Sequence, residues 1–416
     1  MIKIEGVNYF PVLNGGLLNC ATRQDNEMII DGKRLTFYTK DAMYKYKMFL
    51  INPFHHMKLY EEVVNRDLLL EDALVIADSG GLQEVSLQEK RYDAEEVFVW
   101  QQKFSNIGFA MDSLPYISYG CKGKTVGAGP RSGWYLDKKN YINHAKKTRE
   151  NIDRTKPLRD RKKYDNFRFY GIIQGTCYAE NKQWYDIIND EEYLDGFCLT
   201  ALNQNPMTLA EAGIFALHNI HKPIHFLGMG NLSRSIVLYY LGRHFKHGIT
   251  YDSSSYDIGG QFRSFLLPFL PSKKLRFVSD HKMTDDNKDE LTSTKDIKQI
   301  DDANKICDCD ACRLMKGKTM EMIKSNDPKL GSLISMHNLI LSIKLNNYTK
   351  LIIDDDFKVR EFVRGMFEKT LAEKLIKSFE FIDYSVKHTP EAAFVKYKED
   401  MVTPRNLGDQ KSVWDY

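Results

Sequence analysis

Short apolar runs that end in a polar or glycine-rich step recur along this chain. Ala73–Ala77 precedes Asp78-Ser-Gly-Gly81, Ile107–Met111 precedes Asp112, and Phe167–Ile173 precedes Gln174-Gly175. Gly196–Leu199 leads into Thr200, Ile224–Leu227 into Gly228-Met-Gly230, and Gly248–Tyr251 into Asp252. Each run predicts a buried strand whose last residue opens a loop. Helix-like stretches lie between them, at Asp93–Phe104, Tyr178–Ile188, Thr208–His218 and Leu232–Phe245. Repeated strand-then-helix units predict an α/β fold with a parallel sheet and crossover helices. At 416 residues the expectation is a (β/α)8 TIM barrel over residues 1–271, with a doubly wound sheet as the alternative. Barrel chemistry gathers where strands end and loops begin, which is where Asp78, Asp112, Gln174 and Asp252 stand.

After residue 271 the pattern changes. Most of 272–305 is polar and charged and reads as a solvated connector. It leads to Cys307-Asp-Cys309-Asp-Ala-Cys312, which holds three of the seven cysteines, with His337 twenty-five positions further on. Zinc takes Cys3His as a closed tetrahedral structural set, which leaves no position open for a catalytic water. Residues 272–345 are therefore expected to form the connector and a zinc-binding subdomain inserted near the C-terminal end. Residues 346–416 should form a helical extension that completes the barrel or packs on it. Within it, 357–381 has a helical apolar period, and the tail beyond about 384 carries few signals.

Composition narrows the class. Hydrophobic residues make up 43% and charged residues 28%, as in ordinary soluble proteins. No apolar run is long enough to span a bilayer, and the N-terminus has no basic-then-apolar signal pattern. A cytoplasmic, reducing location and no membrane partner are expected, and there clustered cysteines read as metal ligands rather than disulfides. The net charge of +3 demands no polyanion partner, so local clustering must argue for one. From Gly120 to Arg168 the chain carries Lys122, Lys124 and Arg131 with Trp134 and Tyr135, then ten further cations from Lys146 to Arg168. Cations neutralise phosphates and aromatic rings stack on bases, so beside a base-handling pocket this segment favours nucleic acid. The intervening Glu150, Asp153, Asp160 and Asp165 would equally suit a solvated helix face.

Two carboxylates at strand ends suit chemistry at a sugar carbon. Asp252 could attack it to form a covalent intermediate, and Asp78 could act as acid and base on the departing and arriving groups. Either could instead cap a turn. Two glycines after Asp78 permit close backbone approach to a flat ligand. The carboxylate of Asp112 can accept from the amine and ring N–H edge of guanine, and the Gln174 amide can donate to a carbonyl and accept from a neighbour. Either could also be a satisfied polar residue at a strand end.

Asp78-Ser-Gly-Gly-Leu-Gln83, Tyr170-Gly-Ile-Ile-Gln-Gly175, His225-Phe-Leu-Gly-Met-Gly230, Asp252-Ser-Ser-Ser-Tyr256, the cysteine cluster and Met336-His-Asn-Leu339 occur in that order. Together, over roughly residues 45–345, they resemble the tRNA-guanine transglycosylase superfamily. The resemblance implies a (β/α)8 barrel with a zinc insertion, and exchange of a guanine in a nucleic acid for a free 7-deazaguanine base. Carried over residue by residue, it implies Asp252 as nucleophile, Asp78 as acid/base, and Asp112 and Gln174 as readers of the base edge. Ser79, Gly80, Gly81, Thr200, Ala201, Leu202 and Gly228 belong with the same substrate pocket, and Cys307, Cys309, Cys312 and His337 match the structural zinc ligands. The zinc subdomain of the family contributes to dimer contacts or polymer binding, so a homodimer is a further expected assembly.

The departures matter. Leu82 stands where the bacterial tRNA enzymes carry an aromatic residue, and Thr200-Ala201 where they carry Gly-Gly. The Asp-Ser-x-x-Tyr form of the nucleophile loop resembles the archaeal branch, yet only about seventy residues follow the zinc site. This combination is similar to the DpdA group, which inserts 7-deazaguanines into DNA. DNA is therefore ranked ahead of tRNA as polymer. The other readings are a tRNA-modifying enzyme of queuosine or archaeosine type, a catalytically silent binding paralogue, and a zinc hydrolase with an open metal position.

Overall fold

Eight parallel strands close into a barrel in the computed structural model, which describes residues 5–22, 28–81, 92–118, 134–200, 205–261, 264–267, 270–276, 302, 305, 307–325, 327 and 329–401. The strands are β1 (Val7–Leu13), β2 (Met48–Ile51), β3 (Leu74–Ala77), β4 (Ile107–Phe109), β5 (Arg168–Ile173), β6 (Gly196–Thr200), β7 (Ile224–Leu227) and β8 (Ile249–Ser253). They follow one another around the ring in chain order, and β1 closes it by pairing with both β2 and β8. The expected (β/α)8 fold is thus present. The runs that predict strands become β3 to β8, and β1 and β2 are additional strands that the pattern does not predict. Asn8 and Pro11 interrupt the apolar run of β1.

Strand side chains alternate between two faces, and in a barrel of this size one face fills the lumen. Phe10, Leu50, Ile76, Ile107, Phe109, Tyr170, Ile172 and Cys198 form that separate inner cluster. The opposite faces pack on the helices, among them α1 (Gly15–Thr22), α2 (Pro53–Asn65), α3 (Ala94–Phe104), α4 (Tyr141–Thr155), α5 (Tyr178–Ile188), α6 (Pro206–Asn219) and α7 (Leu232–Gly242). Beyond β8 come α8 (Ser255–Gln261) and the hairpin β9 (Ser264–Leu267) and β10 (Leu270–Arg276). Then follow α9 (Asp310–Met315), α10 (Thr319–Lys324), α11 (Lys329–Ile352), α12 (Asp356–Met366), α13 (Lys369–Lys387) and α14 (Pro390–Lys396). Among the described residues no helix is long and apolar enough to cross a membrane.

The last helices cover the outside of the barrel. The Phe379 ring of α13 stacks on Tyr240 of α7 at 4.2 Å, and the Tyr240 hydroxyl donates to Asp383 at 2.7 Å. Every residue of α6 from Pro206 to Ala216 is buried, because α13 packs on this helix as well. That burial encloses Glu211, whose carboxylate accepts from the Tyr178 N–H at 2.7 Å at the start of α5.

Burial pushes the Glu211 carboxyl up to about 7. The folded protein thus holds this proton more tightly than the unfolded chain. The resulting cost is absent below the usual glutamate range, grows as pH rises, and is complete above about 7. Glu211→Gln keeps an acceptor for Tyr178 and cannot ionise. It is expected to stabilise the fold at pH 8 by up to about 3 kcal/mol and to change little at pH 4. Urea midpoints at the two pH values check this, and equal effects at both would contradict it.

Candidate active site and metal centre

The alternation that fills the lumen continues past the strand ends. Counting by twos from Leu50, Ile76, Ile172 and Cys198 places Asn52, Asp78, Gln174 and Thr200 inward at the C-terminal mouth. On β8 the inward positions are Thr250 and Asp252, with Asp252 in register with the lumen residue Phe10. Asp78 and Asp252 therefore enter a single lumen, and Asp112, three residues past the end of β4, joins them through its bonds to Ser79 and Gln174. Their fields overlap there: Cys198 below them is buried, and its thiol is pushed well up by that burial and by Asp78, Asp112 and Asp252.

Asp78 is held by two donors. Its Oδ1 accepts from the Ser79 N–H and its Oδ2 from the Asn52 side chain, both at 2.8 Å. Burial nevertheless outweighs them and, helped by Asp252 and Asp112, pushes the Asp78 carboxyl up to about 7. A group so tuned can give and take a proton at neutral pH.

Asp112 and Gln174 form a continuous chain of hydrogen bonds. Ser79 Oγ donates to Asp112 Oδ1 at 3.2 Å, and Gln174 Nε2 donates to Asp112 Oδ2 at 2.5 Å. Thr200 Oγ1 donates to Gln174 Oε1 at 2.5 Å, which fixes the direction of the amide. A carboxylate oxygen can accept more than one hydrogen bond, and a primary amide nitrogen carries two hydrogens. Carboxylate oxygens beside an amide N–H are groups of the kind that can accept from amine and ring N–H groups and donate to a carbonyl.

Glycines shape this cluster by the space and the backbone turns they allow. A Cβ on Gly81 would lie 2.7 Å from Asp112 Oδ1, so a side chain at this position would collide with that carboxylate. Gly80 and Gly228 have φ of 80° and 72°, in the left-handed region that favours glycine. The turn at Gly228 aims its N–H at Asp252 Oδ1, 2.8 Å away. His225 Nε2 lies 3.1 Å from the same oxygen, and His225 Nδ1 lies 2.8 Å from Thr250 Oγ1. Asn52, His225 and Thr250 are further members of the site to which no motif in the sequence assigns a role. The signal that finds them is the period of two, which puts 225 with 227 and 250 with 252 on the inner face. Leu82, Ala201 and Leu202 lie outside the described residues.

The basic segment is not where its charge suggested. Strands run toward the mouth and α4 returns from it, so Lys156–Arg168 lies at the opposite end, where β5 begins. Three of its six cations, Lys156, Arg159 and Arg161, pair with acids, as do Arg149 and Arg154 of α4. Lys156 pairs with Asp153 and Asp190 at 2.7 Å, Arg149 with Asp153 and Asp190 at about 3 Å, Arg154 with Glu95 at 2.5 Å, and Arg159 with Asp195. This part of the run ties helices to loops and does not line the mouth. Lys122, Lys124 and Arg131 lie outside the described residues, as do the side chains of Trp134 and Tyr135.

The second centre stands apart from these carboxylates. Ligand atoms of Cys307, Cys309, Cys312 and His337 all lie within 4.8 Å of one another. His337 Nδ1 faces the three sulfurs at 3.7, 3.5 and 3.1 Å. Its Nε2 donates to Leu266 O at 2.8 Å, which leaves Nδ1 free of a proton to act as ligand. The ring stacks on Phe265 at 3.9 Å. Three thiols and one imidazole fit a dication that takes sulfur and nitrogen, and the cluster is positioned to coordinate a structural metal such as Zn2+.

No family model matches the chain, and no curated protein matches it. Among solved structures, the chain is similar to the 4-hydroxy-tetrahydrodipicolinate synthase from the thermoacidophilic methanotroph Methylacidiphilum fumariolicum SolV. The likeness covers 74% of this chain and 92% of that one, at 12% identity and a TM-score of 0.23, and at that level it carries no argument.

Proposed function

We propose that this chain is a guanine transglycosylase that exchanges a guanine in a nucleic acid for a free 7-deazaguanine through a covalent Asp252–sugar intermediate. The observation that carries the reading is the meeting of Asp78, Asp112 and Asp252 in one barrel mouth, with Asp78 held near neutrality. An attacking carboxylate, a proton carrier and a base-reading edge are what such an exchange requires. The same tuning argues against a silent binding paralogue, which has no use for it.

In this scheme a guanine leaves its stack and places its Watson–Crick edge on Asp112 and Gln174. Asp252 Oδ2 attacks C1′, the C1′–N9 bond breaks, and the departing guanine takes the Asp78 proton. The incoming base returns a proton from N9 to Asp78. Its N9 then attacks C1′, and the ester to Asp252 opens. One glycosidic bond replaces another, so no redox cofactor or ATP is consumed. A metal held by Cys307, Cys309, Cys312 and His337 would hold the fold and take no part in the exchange.

DNA remains the preferred polymer and tRNA the alternative. That ranking rests on the resemblance to the DpdA group, since the described cations give the mouth little support. Exchange with isotopically labelled guanine tests the reading without knowing the natural 7-deazaguanine. Label should enter guanine-containing DNA, or tRNA, with wild-type protein, and entry into neither polymer would overturn the proposal.

The Asp78 proton sets a pH dependence. Its carboxyl is raised to about 7, so the acid form needed to release guanine dominates below that value and is lost above it. Single-turnover adduct formation is expected to fall about tenfold per pH unit above 7. In Asp78→Asn the rate should be low and lack this limb. A wild-type rate that stays flat from pH 6 to 9 would remove Asp78 from the role.

A further inference from the structure

His225 contributes a buried imidazole to a lumen otherwise built of residues such as Phe10, Ile76, Phe109 and Ile172. Its ring packs against Phe109 with centroids 4.8 Å apart and is 0% exposed. A polar ring in such a place needs partners for both nitrogens, and they lie on β8. Thr250 Oγ1 is 2.8 Å from Nδ1, and Asp252 Oδ1 is 3.1 Å from Nε2. We infer that His225, with Thr250 behind it, is a positioning residue that fixes Asp252 by one oxygen so that the other meets the sugar carbon. This rests on the base-exchange reading above.

The hydrogen bonds order the tautomer. Thr250 Oγ1 has two acceptors within reach, His225 Nδ1 at 2.8 Å and Ile224 O at 3.4 Å. Donation along the shorter path fills Nδ1 and places the imidazole hydrogen on Nε2. The imidazole then donates from Nε2 to the carboxylate. The opposite tautomer would set the Nε2 lone pair against Asp252 Oδ1.

Gly228 N–H donates to this same oxygen at 2.8 Å. Two donors on one oxygen fix the plane of the carboxylate as well as its position. Among the described residues both donors to Asp252 reach Oδ1, and Oδ2 is the atom left for attack. When Oδ2 bonds to C1′, Oδ1 becomes the ester carbonyl oxygen. When the incoming base breaks that bond, negative charge returns to Oδ1 and meets donors already in place.

The test follows adduct formation in the full-chain protein on a guanine-containing oligonucleotide, alongside affinity for that oligonucleotide. His225→Leu is expected to slow adduct formation about a hundredfold and leave affinity within about threefold. His225→Gln, whose amide can donate to Oδ1, should recover part of the rate. Thr250→Val should fall in the same direction and Thr250→Ser recover. A His225→Leu rate within about threefold of wild type, or a loss matched by lost affinity, overturns the inference.

Nitrogen-15 spectra of the imidazoles give a readout independent of turnover and of whether His225→Leu folds. A His225 Nε2–H signal that shifts in Asp252→Asn supports the assignment, and an Nδ1–H tautomer overturns it. If wild-type protein forms no adduct on DNA or tRNA, the base-exchange reading falls, and these spectra still decide whether His225 holds Asp252.

Discussion

Asp252→Asn is expected to abolish the denaturant-resistant adduct with guanine-containing nucleic acid, lowering its formation by at least about 10,000-fold. The substitution is nearly isosteric, and an amide oxygen can still accept from Gly228 N–H and His225 Nε2. What it removes is the anionic oxygen that bonds to the sugar. Fold and affinity for the oligonucleotide should therefore stay close to wild type, which separates this loss from a collapse of the mouth. Asp112→Asn should behave differently, because its damage falls on guanine recognition and hence on affinity and base selectivity. An adduct that persists in Asp252→Asn would assign the nucleophile elsewhere.

Removing the metal is expected to have the second large effect. Structural zinc in small domains is bound with about 10–16 kcal/mol of apparent free energy, which is folding free energy for the segment it closes. Here that segment reaches the loop after the nucleophile. His337 Nε2 donates to Leu266 O, and the adjoining Asn338 accepts from Leu266 N and donates to Ser264 O. Ser335 on the same helix donates to Asp257 in α8.

Purified protein should hold one zinc per chain. Chelation or His337→Ala should speed hydrogen exchange at 255–267 and 307–345 while the strands β1 to β7 stay protected. Adduct formation should fall with the loosening of α8 even though the metal touches no reacting atom. Unchanged exchange after the metal is stripped would mean the cluster is no clamp. Activity that survives loss of His337, with an exchangeable water on the zinc, would favour a zinc hydrolase instead.

Much of this was legible from the one-dimensional pattern. Six apolar runs with polar ends correspond to β3 to β8, because a strand buried on both faces reads as an unbroken apolar run. The cysteine spacing located the metal centre, since close ligands on a short turn leave a local signature; only His337 had to come from afar. The barrel's first two strands were not legible. Pro11 and Asn8 break the pattern of β1, and β1 is recognised by the partners that close the ring rather than by its own composition.

The site was legible in its acids and not in their supports. Asp78, Asp112, Gln174 and Asp252 stand out as polar residues after apolar runs. His225 and Thr250 sit inside such runs, where a polar residue looks like noise until its neighbour across β7 and β8 is known. The basic segment misled for a related reason. Charge density along the chain does not say which end of a barrel it occupies, nor that Asp190 and Asp195 wait there to neutralise it.

Nucleoside mass spectrometry tests the central claim most directly. DNA and tRNA are digested from cells that express the wild-type chain or Asp252→Asn and have a supply of 7-deazaguanine. The expected result is a 7-deazaguanine deoxynucleoside in DNA with the wild-type chain and none with the variant. A modified nucleoside in tRNA alone would reverse the choice of polymer and keep the chemistry. Unmodified guanosine and deoxyguanosine in both polymers, with the wild-type protein folded and the base present, would contradict base exchange at this barrel mouth.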